Sequence, residues 1–122
     1  MSLEKKAIEF ILAREPTLAR TPTNNEGFDL VELGPGGAPV RWIEVKAMTG
    51  DLYSRPVGVS RAQFQSAQEH GDSYWLYVVE LASEPDRARI VRIQDPAGKA
   101  RTFTFDHGWL SVAEVTAPTK PE

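Results

Sequence analysis

The chain reads as an α/β sandwich, a mixed β-sheet flanked by helices, and three stretches of sequence predict it. An amphipathic segment opens the chain, two strand-like runs flank a turn rich in glycine and proline, and a capped helix leads directly into a strongly β-prone run. Strands joined by a tight turn pair antiparallel, whereas a helical crossover brings the next strand in parallel, so the sheet is mixed.

Ser2 is placed to cap a helix over residues 3–14, in which Leu3, Ala7, Ile8, Phe10, Ile11 and Leu12 recur near helical spacing and Pro16 stops the run. Residues 15–26, with Pro16, Pro22, Asn24 and Asn25, read as an irregular connection. Residues 28–33 and 40–47 are strand-like about the turn at residues 34–39, which predicts a hairpin. Residues 49–58 read as an exposed loop. Ser60 and Gln63 then form a capping box for a helix over residues 61–69, with Gly71 as its left-handed stop. Residues 73–81 are so rich in aromatic and β-branched side chains that they predict a central strand parallel to the run at 40–47. Residues 88–94 read as a further strand, and 102–105 allow one more. The single expected domain spans residues 1–116, and residues 117–122, with two prolines, read as a flexible tail.

Composition narrows the function classes. A length of 122 residues suits one domain with one core, and 41% hydrophobic with 25% charged residues is ordinary for a globular chain. No apolar run approaches the roughly 18 to 20 residues of a membrane span. The absence of cysteine excludes disulfides, thiolate metal sites and a cysteine nucleophile. The first residues read as a helix rather than a basic-then-apolar leader, so the expected location is cytoplasmic. A net charge of -3 argues against coating nucleic acid nonspecifically, while leaving room for a local basic groove.

The chemically loaded stretch is Trp42-Ile43-Glu44-Val45-Lys46. Alternation along a strand puts Trp42, Glu44 and Lys46 on one face, and two charges on a buried strand cost several kcal/mol each unless they are paired or hold an ion. Asp29 precedes Glu44 by fifteen residues, and the hairpin brings it toward Glu44 and Lys46. Two carboxylates of this kind suit a hard divalent cation, Mg²⁺ or Mn²⁺, with Lys46 positioning a water or offsetting phosphate charge. An isolated Glu-x-Lys is more often a plain ion pair; here the preceding Gly-Phe-Asp, the hairpin and the crossover helix agree with one another. Arg55 and Arg61 flank the neighbouring loop and are candidate phosphate clamps, although most such arginines are only solvated. Residues 34–39 lack the Lys-Ser/Thr of a phosphate-binding loop, and His70 and His107 have no zinc-site spacing. Trp75 and Trp109 read as core.

The combination of Asp29, Glu44 and Lys46 resembles the PD-(D/E)xK nuclease superfamily. More closely, Gly27-Phe28-Asp29-Leu30, Ile43-Glu44-Val45-Lys46, Val59-Ser60 with Ala67, and residues 74–79 look like the DUF3883 family, the C-terminal domain of protein NO VEIN. That resemblance covers residues 3 to about 95. It implies a restriction-endonuclease-like sandwich, a metal site in which the Val45 carbonyl joins Asp29 and Glu44, and partners that include DNA and a helicase or restriction system. It also implies an auxiliary acid on the first helix, where helical geometry prefers Glu4 to Glu9, and a polar auxiliary at Gln63, which its capping role alone would explain. Phe28 departs from the proline of many nucleases, and Gln63 stands where the family leads one to expect an acid. The resulting expectation is a Mg²⁺-dependent nuclease acting on DNA. The alternative is a noncatalytic nucleic-acid or protein interaction module that keeps the fold.

Overall fold

A computed structural model describes residues 2–21 and 27–100. Helix α1 (Leu3–Arg14) begins where the Ser2 hydroxyl accepts the Lys5 amide at 3.2 Å, and it buries Ala7, Ile8 and Ile11. A five-stranded sheet follows in the order β1 (Leu18–Arg20), β2 (Leu30–Leu33), β3 (Pro39–Ala47), β4 (Tyr74–Glu80) and β5 (Arg89–Gln94). All neighbours pair antiparallel except β3 and β4, which are parallel and joined by helix α2 (Arg61–His70). A short helix, α3 (Pro96–Lys99), ends the described part.

The two faces of the sheet follow from the alternation. Ile43 and Val45 of β3 with Tyr77 and Val79 of β4 pack against Ala7, Ile8 and Ile11 of α1 in the main core. On the other face Leu76 and Val78 pack with Met48, and the α2 residue His70 lies 3.8 Å, ring centroid to ring centroid, from Trp42. Gly27 also meets α2: a Cβ there would lie 3.0 Å from Ser66 Cβ, so glycine permits the close approach. β4 lies between β3 and β5, which agrees with its apolar run, and Leu76 and Val78 are buried.

A carboxylate cluster fastens α1 to the sheet. Glu15 accepts hydrogen bonds from the Tyr77 hydroxyl at 2.9 Å and from Arg92 Nε at 2.8 Å, and it pairs with Arg41, which in turn bonds Glu32 at 2.7 Å. Partial burial acts to raise the Glu15 pKa, but the hydrogen bonds from Arg92, Tyr77 and Arg41 outweigh it and hold the carboxyl below its usual range.

The expected irregular connection is in part a strand. Leu18 is buried in β1 while Ala19 and Arg20 are exposed, a pattern too short for alternation to reveal. β2 begins at Leu30 instead of Phe28, β3 starts at Pro39, α2 extends to His70, β4 runs Tyr74–Glu80 and β5 starts at Arg89. Gly71 has positive φ (56°) but ψ of -127°, so it is not the left-handed helical stop expected; a single 3-10 turn over Gly71–Ser73 then feeds β4. The α3 helix had no sequence signal long enough to read. The expected strand at 102–105, the tail at 117–122, His107 and Trp109 lie outside the described residues. No helix among the described residues is long and apolar enough to cross a membrane.

Candidate functional site

β2 begins two residues after its expected start at Phe28, so Asp29 lies just before the strand. Its main-chain amide still donates to Ile43 O at 2.8 Å, but its carboxylate turns to accept the Val45 amide at 2.8 Å, so a side chain supplies the acceptor that a longer strand would have provided. Thr21 holds the same residue from the other side, its amide and hydroxyl reaching Asp29 O at 3.0 and 2.9 Å. Asp29 therefore approaches Glu44 from a strand end, and not from within a strand.

Glu44 projects from β3 and is only 4% exposed. Its Oε2 accepts Gln63 Nε2 at 2.8 Å and lies 3.8 Å from Lys46 Nζ, and its carboxyl shares a hydrogen bond with Asp29. Burial first, and then the Asp29 charge, push the Glu44 pKa up to about 9, against the opposing pull of Lys46; the Asp29 hydrogen bond and the Glu4 charge add to the rise. A proton thus stays on Glu44 at neutral pH. Tyr74, buried with its hydroxyl donating to Gly27 O at 2.7 Å, is raised as well, by burial and by the charges of Glu44 and Asp29.

Glu4, Asp29, Glu44, Val45, Lys46 and Gln63 line one open cleft of about 450 Å³, together with Leu3 and Ala47. Glu4 is in this lining and Glu9 is not. Gln63 fills the capping role expected of it, its Oε1 accepting the Ser60 amide at 2.8 Å, and its Nε2 in addition donates to Glu44. Arg55 lines an adjoining cavity that also contains Lys46; Arg61 lines neither. Among the described residues no three His, Cys, Asp or Glu side chains are arranged to hold an ion. What the cleft offers is a pair of carboxylates with a carbonyl beside them: the Val45 amide faces Asp29, and in an extended strand the carbonyl of a residue points to the same side as its amide. Such a hard-oxygen set fits Mg²⁺, which keeps several waters and takes few protein ligands. Sequence reasoning missed Thr21 and Tyr74, whose contacts run through main-chain atoms and leave no spacing signature.

A family model described as Protein NO VEIN, C-terminal, matches residues 3–93. The chain belongs to that family. The match takes in all five strands except Gln94, the final residue of β5, and Glu4, Asp29, Glu44, Lys46 and Gln63 with them. In this NO VEIN C-terminal domain α3 lies beyond the matched stretch. No curated protein and no solved structure matches the chain.

Proposed function

We propose that the domain is a metal-dependent phosphodiesterase of the PD-(D/E)xK type with a restriction-endonuclease-like fold, cleaving DNA. The observation that supports this most is the contact of the Glu44 and Asp29 carboxyl groups, with Lys46 Nζ 3.8 Å from Glu44 Oε2. Crowding two acids costs stability unless something else is meant to sit between them, and a divalent cation is what such a pair accommodates. Asp29, Glu44 and the Val45 carbonyl would hold it, and the ion would supply charge for the phosphoryl oxygens and a water acidic enough to ionise near neutral pH.

The chain's own residues do the rest. Glu44 would give up its proton to make room for the ion's charge, while Gln63 Nε2, which donates to Oε2, keeps the carboxylate in place. The Val45 amide fixes the Asp29 carboxylate. Lys46, 17% exposed, presents a fixed positive charge to the attacking water or to the charge growing on phosphate. Glu4 stands beside the pair as an auxiliary acid. A cytoplasmic setting and a helicase or restriction-system partner complete the reading.

The net charge of -3 favours a second reading, a noncatalytic interaction module whose partner supplies targeting. The deciding experiment incubates single- and double-stranded DNA with Mg²⁺ or Mn²⁺ and compares wild type with Lys46→Ala, while calorimetry follows ion binding to wild type and Asp29→Ala. Lys46-dependent cleavage with Asp29-dependent ion uptake supports the enzyme. Neither cleavage above the Lys46→Ala control nor ion binding leaves the module.

A further inference from the structure

The loop between β3 and α2 carries an aromatic ring and a cation that the chemistry above does not use. Its base is firmly held: Leu52 N donates to Glu80 Oε2 at 2.7 Å, Leu81 N to Gly50 O at 3.0 Å, and Arg89 Nε holds the buried Glu80 at 2.6 Å. Its tip is a turn in which the Ser54 and Arg55 amides return to Asp51, at 2.8 Å to the carboxylate and 3.3 Å to the carbonyl. From this ordered turn Tyr53 projects fully exposed, 100% accessible, with no ring contact or side-chain hydrogen bond to any described residue. Two residues on, Arg55 lines a cavity of about 360 Å³ that has Lys46 in its wall and Leu3, Met48 and Val57 as apolar lining. Lys46 also lines the carboxylate cleft, so cavity and cleft meet at that lysine.

We propose that this loop and cavity bind an unpaired nucleotide beside the scissile phosphodiester, which makes the substrate a single strand or an unpaired segment of one. The inference rests on the phosphodiesterase reading of the cleft and names the form of nucleic acid that reading leaves open. In a duplex the flat faces of the bases are stacked on one another, and only an unpaired base offers one to an exposed aromatic ring. Tyr53 supplies that ring without sequence preference. Arg55 and Lys46 both line the space where a backbone phosphate would pass, and the apolar lining suits a sugar or the edge of a base. A chain with a net charge of -3 has little general attraction for nucleic acid, so a local stacking contact with two cations is a way to gain affinity for one strand.

The test measures anisotropy of a fluorescein-labelled oligothymidine and of a blunt duplex of equal length, in EDTA so that nothing is cut. Wild type binds the single strand more tightly than the duplex, and Tyr53→Ala weakens single-strand binding by about tenfold with duplex binding unchanged. Tyr53→Trp restores it, and Arg55→Ala lowers the slope of log affinity against log salt by about 0.7. Circular dichroism checks that the fold is intact. Equal binding of both substrates by wild type, or wild-type affinity in Tyr53→Ala, overturns the proposal. Lys46-dependent cleavage together with a silent Tyr53 defeats this inference and keeps the phosphodiesterase. Tyr53-dependent binding with no cleavage at all defeats the phosphodiesterase and keeps the single-strand site.

Discussion

Gln63 binds Ser60 and Glu44 with opposite ends of one amide, its Oε1 accepting the Ser60 main-chain N–H and its Nε2 donating to Glu44 Oε2, each at 2.8 Å. Each end has a partner that the other end could not serve, so the amide is fixed in one orientation. The start of α2 and the setting of the buried carboxylate are thereby a single structural unit.

Gln63→Glu keeps the acceptor that Ser60 needs and places a third carboxylate against Glu44 and Asp29. Without divalent cation the variant is expected to lose about 1 to 2 kcal/mol of stability, as a donor is replaced by a like charge. Mg²⁺ affinity is expected to tighten, because ion binding now relieves more repulsion. Thermal melting with and without Mg²⁺, together with calorimetry, reads both; an unchanged Mg²⁺ affinity would show that position 63 does not face the ion.

The raised Glu44 pKa has a definite sign in pH-dependent stability. The unfolded chain loses this proton near 4.5 and the folded chain only near 9, so the native state binds more protons between those values. The stabilisation is complete below the lower value, declines through the window and is gone above the upper. Glu44→Gln mimics the protonated acid, and should flatten that decline and exceed wild type by roughly 1 to 3 kcal/mol near pH 8. Urea unfolding across the window checks it, and a slope identical to wild type would place the cost elsewhere.

Lys46→Ala is expected to lower metal-dependent cleavage about 100-fold or more, the scale of losing a fixed charge at a developing anion. The fold should survive, since the Lys46–Glu44 separation of 3.8 Å is long for a pair on which stability depends. Turnover of labelled DNA and circular dichroism on the same preparations provide the comparison.

Glu15→Ala makes the opposite prediction. It takes the carboxylate from Arg92 and the acceptor from the Tyr77 hydroxyl while Arg41 keeps Glu32, and is expected to cost about 1 to 3 kcal/mol while leaving Mg²⁺ affinity unchanged. Because the Glu15 pKa is depressed, its stabilisation is present above the ordinary carboxylate range and is lost as pH falls through the lower folded value. Denaturation of wild type and variant near pH 7 and near pH 3 should show the gap closing in acid.

Much of this architecture was legible because local and global signals agree. Ser2 and the Ser60–Gln63 box announce the two long helices, and the hairpin turn and the apolar run of β4 announce the sheet. The grouping of Glu44, Lys46 and Asp29 follows from burial of charge on a strand. What escaped notice depends on contacts remote in sequence: β1 has only Leu18 facing inward, and Thr21 and Tyr74 act on main-chain oxygens of Asp29 and Gly27, which no residue pattern encodes. The turned Asp29 side chain was hidden for the same reason, since a strand that ends early looks in sequence like one that continues.

The strands lie across the sheet in the order in which they occur along the chain, and this bears on how the domain acquires its structure. Each strand closes against its immediate predecessor, and only the β3–β4 step requires a loop long enough to hold a helix, so the entropy of loop closure is spent in small instalments. Asp29 and Glu44 belong to the β2–β3 ribbon and come together early, as two mutually repelling acids. Gln63 arrives only when α2 docks. Destabilising changes at the carboxylate pair should therefore slow refolding, whereas loss of the Gln63 contact should chiefly hasten unfolding, a division that rate measurements on the two variants would separate.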